Sequence, residues 1–438
     1  MKIRKKAAAA MLLIAALIFT SGCSPVAIDE LYSLPQLPEK YVQLQTLIDK
    51  EIASGSEYSA PTSGNYRQSV QLHDLDGDGR EEALAFFRDS HNNLKICIYN
   101  SEGNAYSLAA VIDGEGAAIG KIEYADLDGD SGLELMVSWQ VSTGLRMLKV
   151  YSLREFQSSV LLTADCNEFL VSDLNGDGLS ELIILHFGGS GSGSVELVDL
   201  SAGSEPQSSV AKMSEGLESI DRARTGALSD GTPALFIEGL YNEGASLLTD
   251  VFVCSKGKIT NITLDKDTGV SGTLRNFKVY STDIDSDRAM EIPSAVPVFS
   301  QPDSPAPYWV FDWYSYDSHG NKKLDLSTYH CYSDGWYLVL PEKWRETFTV
   351  RREAGVAGER IVVLSKADPD TEKVEDFLMI YTLTGENRWE KAKIGNRFVL
   401  LEESSIIYAA RILDDAISKE DVISNFRLIY TEWITGAI

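Results

Sequence analysis

The chain has 438 residues, is 44% apolar and 24% charged, and carries a formal net charge of −26. It is long enough for more than one domain and apolar enough to bury large cores, which excludes disorder as the starting assumption. A surface this acidic repels nucleic acid and anionic lipid headgroups, so neither is an expected partner.

Residues 1–22 read as a secretory signal peptide. Lys2, Arg4, Lys5 and Lys6 open it, residues 7–19 form an apolar run too short to span a bilayer comfortably, and small residues follow. The ending Thr20-Ser-Gly-Cys23 makes the segment resemble a bacterial lipoprotein signal. The resemblance implies that Cys23 is lipidated, becomes the mature N-terminus, and anchors an exported protein on the outer side of the bacterial cell membrane. Loss of residues 1–22 removes four basic residues and takes the formal charge from −26 to −30.

Residues 23–65 are expected to be a lipid tether followed by an amphipathic helix. Pro38 suits a first helical turn, Tyr41, Leu44, Ile48 and Ile52 recur at helical spacing, and Gly55 stops the pattern. A Ser/Gly/Pro-rich stretch then leads into residues 66–332, where one motif recurs.

Its first copy is Asp74-Leu-Asp-Gly-Asp-Gly-Arg-Glu-Glu82. The others are Asp126-Leu-Asp-Gly-Asp-Ser-Gly-Leu-Glu134, Asp173-Leu-Asn-Gly-Asp-Gly-Leu-Ser-Glu181 and Asp283-Ile-Asp-Ser-Asp-Arg-Ala-Met-Glu291. Oxygen-bearing side chains at positions one, three, five and nine of a tight turn aim at one centre, and Ca²⁺ prefers six to eight such oxygens. In the first loop Asp74, Asp76, Asp78 and Glu82 would supply carboxylates and Arg80 its backbone carbonyl, with Gly79 relieving the sharp turn. Without a cation these carboxylates repel one another.

Alternating strands flank the loops. In the first unit the strands are expected near residues 69–74, 83–87, 94–99 and 106–111, so one unit is four strands with the acidic loop in its first hairpin. The starting aspartates are 52, 47 and 110 residues apart, and the long interval predicts a unit without its metal loop near residue 226. There Asp230-Gly231 falls at positions five and six, but Gly226 and Ala234 stand at one and nine. Four-strand units at this period indicate a β-propeller of about five blades.

An EF-hand would need its closing glutamate at position twelve, where these loops carry Ala85, Val137, Ile184 and Ser294, and helices on both sides. The closing acid at position nine, followed by an apolar strand, resembles instead the FG-GAP and VCBS repeats of integrin-α-type propellers, over residues 66–332. That resemblance implies up to four structural Ca²⁺ ions bracing the blades. Carried over by position, the further ligands are Asp126, Asp128, Asp130, Gly132 and Glu134; Asp173, Asn175, Asp177, Leu179 and Glu181; and Asp283, Asp285, Asp287, Ala289 and Glu291. Arg288 and Ser131 replace the position-six glycine, so the fourth loop is expected to bind most weakly and the second to depart more mildly.

Six of the seven tryptophans follow residue 308, and residues 333–438 read as a small α+β domain. Its antiparallel sheet is expected to begin with residues 336–341. A helix starting at the capping box Ser418-Lys-Glu-Asp421 would bury Val422, Phe426, Ile429, Tyr430 and Trp433. Residues 308–316 and 323–332 would close the fifth unit. The fold class expected overall is mainly β: a β-propeller of about five four-stranded blades followed by this α+β domain.

Catalytic signals are missing from the pattern. There is no Gly-x-Ser-x-Gly elbow and no HExxH, and Gly188-Gly-Ser-Gly-Ser-Gly-Ser194 lacks the lysine of a phosphate loop. His73 and His186 read as structural residues, and Trp309, Trp313, Tyr314 and Tyr316 as blade core rather than a sugar-stacking patch. Cys97, Cys166, Cys254 and Cys331 form no CxxC pair and read as buried thiols. The expectation is a non-enzymatic, lipid-anchored, calcium-stabilised binding scaffold with a protein or glycan ligand. An envelope polymer-acting enzyme using the propeller as scaffold, or an accessory subunit of an envelope complex, are the alternatives.

Overall fold

The first three acidic loops are each followed by a strand that is apolar at nearly every position, and such a strand must be covered on both faces. Glu82–Arg88 shows how this is met. Ala83, Ala85 and Phe87 face one layer, Leu84 and Phe86 the next, and all are buried. The computed structural model describes residues 38–429 apart from 104, 189–191, 202–205, 299–307, 346, 369 and 372. The signal segment, Cys23 and the tether up to residue 37 lie outside the described residues.

Five sheets follow one another, each antiparallel and ordered as in the chain. The first holds Val70–His73, Glu82–Arg88, Leu94–Glu102 and Ala105–Asp113, with Glu57–Tyr58 extending its inner edge. The second holds Ala118–Ala125, Glu134–Gln140, Arg146–Ser152 and Ser159–Cys166. The third holds Glu168–Ser172, Glu181–Gly188, Ser192–Asp199 and Gln207–Lys212. The unit expected near residue 226 is there, as Ser219–Ala227, Pro233–Tyr241, Ser246–Ser255 and Lys258–Asn261. The fold is mainly β, a β-propeller of five such units followed by a smaller α+β part.

Apolar clusters lie between successive sheets. Leu84, Phe86 and Ile96 meet Ile122, Val137 and Trp139. Met136 and Val150 meet Phe169 and Ile184. Ile183 and Leu185 meet Leu235 and Ile237, and Phe236 and Val251 meet Ile292 and Tyr316. The outward face of the first sheet is covered differently. Helix Glu39–Ala53 lays Leu44 and Ile48 on Ala83, Ala85, Phe87, Cys97 and Tyr99. Pro38 precedes the helix, and Gly55, at φ +98°, ends it as expected.

The fifth sheet departs from the expected plan. Before its acidic loop the pairing shrinks to one bridge, Thr282 with Glu291. After the loop come Ile292–Pro297, Trp309–Tyr316, Lys322–Cys331 and Trp336–Leu340, and the chain returns to add Phe426–Leu428. Residues 336–340 therefore pair within the fifth sheet, across the boundary expected at 333. The cause is the tight turn Tyr332–Asp334 closed by Gly335 at φ +74°, which folds the strand back onto Lys322–Cys331. Trp336, Leu338 and Leu340 then fill the layer against Phe348, Val362, Leu364 and Phe377 of the sixth sheet.

That sixth sheet is antiparallel, in the order Phe348–Ala354, Glu359–Ala367, Val374–Thr384, Ile406–Ile412, Phe398–Glu402. The expected C-terminal helix is shorter than its apolar spacing suggests. Ser418 caps it, accepting the Asp421 N–H, and it spans Lys419–Asn425. Phe426 belongs to the strand that pairs with Leu338, because tertiary pairing there outweighs helical periodicity. Tyr430 and Trp433 lie outside the described residues.

The four cysteines after residue 23 are buried and unpaired, as expected. Trp313 and Tyr316 are buried in the blade core, while Trp309 and Tyr314 are half-buried. His73 stacks on Tyr124, and burial pushes its pKa down. No helix among the described residues is long and apolar enough to cross a membrane.

Candidate metal centres

The four acidic loops share one hydrogen-bond plan, set by the chain direction at each first hairpin. The position-one aspartate accepts the N–H of position six in every copy: Gly79 to Asp74 at 2.9 Å, Ser131 to Asp126 at 3.1 Å, Gly178 to Asp173 at 2.9 Å and Arg288 to Asp283 at 3.0 Å. Position three accepts from position five, at Asp76, Asp128, Asn175 and Asp285. Position five accepts the N–H of position seven, where Asp78, Asp130, Asp177 and Asp287 hold Arg80, Gly132, Leu179 and Ala289.

Position nine is the buried end of each loop. Glu82, Glu134 and Glu181 open their strands, Glu291 directly precedes its own, and all four are almost fully buried. In each, Oε2 accepts the N–H of position two: Leu75 at 3.0 Å, Leu127 at 2.9 Å, Leu174 at 2.8 Å and Ile284 at 3.0 Å. The position-two side chains are themselves buried and plug the space beneath the loop. The sequence reading missed them, although Leu or Ile at position two of all four copies was the signal.

Ligand-type oxygens converge. Asp74, Asp76 and Asp78 place one carboxylate oxygen each within 4.8 Å of one another. The same holds for Asp126, Asp128 and Glu134, for Asp173, Asp177 and Glu181, and for Asp283, Asp285 and Glu291. Three buried oxygens here have no protein partner: Asp74 Oδ1, Glu82 Oε1 and Glu291 Oε1. A buried carboxylate oxygen without a donor is costly, and a cation would satisfy it, so the residues fit a metal ion. An all-oxygen set of this kind suits a hard divalent cation.

The electrostatics agree. Burial, reinforced by the neighbouring aspartates, pushes the pKa of Glu134 up to about 7 and of Glu291 up to about 8. Glu82 and Glu181 are raised for the same reason. A divalent ion reverses that preference by stabilising the ionised forms.

Some predicted ligands also engage other protein groups. Asp78 is bound by the Arg80 guanidinium, with Nε at 2.9 Å. Arg154 reaches Asp128 at 2.8 Å and also pairs with Asp130, a contact that no local spacing in the sequence announces. In the third loop Asn175 Nδ2 donates to Asp177 at 2.9 Å and to Glu181 at 2.5 Å. Arg80, Gly132, Leu179 and Ala289 are present as turn residues whose N–H groups organise position five.

The backbone of the fourth loop carries strain that the other three avoid or carry less of. Positions four and six both take positive φ in every copy: Gly77 and Gly79, Gly129 and Ser131, Gly176 and Gly178, Ser286 and Arg288. Only the fourth loop has side chains at both, a conformation costing about 1–2 kcal/mol per residue. Arg288→Gly should therefore raise stability by about 0.5–1 kcal/mol, the gain being offset partly by unfolded-chain entropy. Chemical denaturation of the two proteins measures this, and an unchanged or lower midpoint would contradict it.

Neighbouring loops touch. Leu133 N donates to Leu75 O at 2.8 Å, joining the second loop to the first, and Met290 N donates to Ala227 O at 2.9 Å. In the fourth unit the loop is cut to a short turn. Asp230 keeps the position-five bond to Thr232 N at 3.1 Å, while its other oxygen accepts Ser318 N at 2.9 Å from the fifth sheet. A backbone donor from the next blade thus serves this aspartate where the other loops gather carboxylates.

Residues 74–137, which hold the first two loops, match the model of the FG-GAP-like repeat. No curated protein matches the chain. Among solved structures, a protein from Lactobacillus plantarum is similar at 10% identity and TM-score 0.31, over 72% of this chain and 85% of that one. A putative 6-phosphogluconolactonase from Bacteroides fragilis is similar at 11% identity and TM-score 0.29, over 73% and 92%. The WD40 domain of SCAP from fission yeast is similar at 12% identity and TM-score 0.24, over 82% and 79%.

Proposed function

We propose that this protein is a lipid-anchored, calcium-stabilised propeller that works as a binding scaffold on the outer side of the bacterial cell membrane, without catalysis of its own. One observation carries the metal part of the reading. A buried glutamate is fixed by the N–H of position two in each of four loops; in three it converges with two aspartates, in the first, three aspartates converge with one another, and in two loops the glutamate's second oxygen has no partner. Calcium is the hard cation that fits flexible all-oxygen loops of this kind, and affinities of about 10⁻⁴ to 10⁻³ M suit an extracellular module. Asp74, Asp76, Asp78 and Glu82, with their counterparts in the other loops, would hold it.

When bound, the ion supplies charge neutralisation and a fixed loop geometry rather than a reactive centre. The chain's own residues do the rest. The position-two N–H orients each glutamate, the apolar plug beneath excludes water, and the contacts between loops pass rigidity from blade to blade. The anchor rests on the Lys2–Cys23 pattern. Mass spectrometry of the mature N-terminus tests it. A diacylglyceryl-modified Cys23 is expected, together with loss of intact protein when whole cells are treated with protease; an unmodified Cys23 in exported protein would refute the anchor.

A further inference from the structure

At the ends of the inner strands away from the acidic loops, two cavities share a wall. One, of about 450 Å³, runs across the inner strands of the second, third and fourth sheets and meets Lys121, Glu168 and Asp221. The other, of about 410 Å³, meets Asp165, Lys212 and Glu215. Asn167 and Phe187 line both, so the two are one groove with Phe187 at its middle.

The ring of Phe187 is half-buried and held in place. It stands opposite Gly193 in the sheet, where a Cβ would come within 3.1 Å of its Cδ2 and 2.6 Å of Met213 Sδ. Asn167 Oδ1 accepts the Phe187 N–H at 2.5 Å, which leaves the amide NH₂ as the end that meets the groove. Lys121 is fixed by Glu168 at 3.1 Å and by Phe169 O at 2.8 Å, and Asp221 accepts the Tyr280 hydroxyl. Donors and acceptors therefore line the same groove as the aromatic ring.

A hydroxyl is both donor and acceptor, so a polyol is matched by a wall that offers both. The aromatic face suits the apolar C–H side of a sugar ring, and a few placed polar groups fix its orientation. Polyanionic glycans are disfavoured by a chain of net charge −26. We infer that this groove binds a neutral oligosaccharide, stacked on Phe187 and hydrogen-bonded by Asn167, Asp221 and Glu215. The inference rests on the reading of the protein as a binding scaffold and gives that scaffold its ligand class.

The test uses the purified protein with maltohexaose, cellohexaose and mannohexaose, and with polygalacturonate and hexalysine as contrasts. Calorimetry and saturation-transfer NMR are expected to detect binding of at least one neutral hexasaccharide, weakened at least tenfold in Phe187→Ala. Asp221→Ala, on an exposed side chain, is expected to weaken it at least threefold and carries the test if the phenylalanine variant folds poorly. Failure of all three neutral sugars to bind, binding that survives both substitutions, or preference for either contrast ligand overturns the inference. Calcium-dependent melting that persists in such a case leaves the scaffold reading standing, whereas its absence beside retained, Phe187-dependent sugar binding counts against the calcium-stabilised reading and not against the groove.

Discussion

Addition of 10 mM calcium to chelator-treated protein is expected to raise its melting temperature by roughly 10 °C. A site held at ten times its Kd contributes about 1.4 kcal/mol, so four sites contribute about 5–6 kcal/mol. Spread over roughly 270 residues unfolding with about 2.1 cal/mol/K each, that is a shift of about 10 °C. Magnesium at the same concentration is expected to do less, because it dehydrates reluctantly and demands stricter geometry.

The shift also has a predicted pH dependence. In the calcium-free protein Glu134 and Glu291 are raised to about 7 and about 8, chiefly by burial. A carboxyl raised in the folded state favours folding fully below its unfolded value, and that contribution is lost as pH rises through the folded one. The calcium-free protein should thus melt lower at pH 8 than at pH 6. Calcium must displace both protons at pH 6 but only part of the Glu291 proton at pH 8, so its stabilising effect should grow over the same window. Thermal melts at both pH values, with and without calcium, decide this. No calcium-dependent rise at either would sink the structural-metal reading, and a calcium-free melting point that climbs with pH would contradict the burial argument.

The second large effect is expected in the fourth unit. Glu238 is buried between Arg222 and Arg275, both almost fully inside, with Arg222 Nε on Oε2 and Arg275 Nη2 3.3 Å from Oε1. Arg222 also donates to Ser281 O at 2.6 Å, and Arg275 to Val279 O at 2.8 Å. The cluster ties residues 275–281, which lead into the fourth acidic loop, to the sheet that has no such loop of its own. Glu238→Ala would leave two guanidinium groups buried without their counter-ion and should cost about 3–5 kcal/mol. Lys323→Ala, an exposed side chain paired with the half-buried Asp325, should change stability by less than about 1 kcal/mol. Urea denaturation compares the two. A loss below about 1 kcal/mol for Glu238→Ala would mean that the arginines reach solvent and the cluster holds little.

Much of this architecture was legible in the residues. The spacing of Asp74, Asp126, Asp173 and Asp283 located every acidic loop, and the doubled interval located the unit that lacks one, because a repeated hairpin needs the same local turn chemistry each time. The helix at Glu39–Ala53 and most strands of the sixth sheet were equally local matters of periodicity and turn residues. The misreadings came where distant segments compete for one strand edge. Residues 336–340 look alike whether they pair within the last sheet or with Lys322–Cys331, and Phe426 fits a helical face as well as the strand that pairs with Leu338; only the three-dimensional fit of Trp336 and Leu338 between two sheets chooses.

The candidate site divides in the same way. Its ligand types and the positive-φ glycine of position six follow from short-range geometry, so nine residues suffice to read them. The burial of Glu82, Glu134, Glu181 and Glu291, the reach of Arg154 into the second loop, and the replacement of an acidic loop by Ser318 at Asp230 do not. Each depends on which blade stands next to which. What the sequence determined alone was therefore the repeating acidic loop, since hydrogen bonds within nine residues define it. What the tertiary structure decided was the surroundings of each loop, since burial and long-range partners arise only when the sheets pack together.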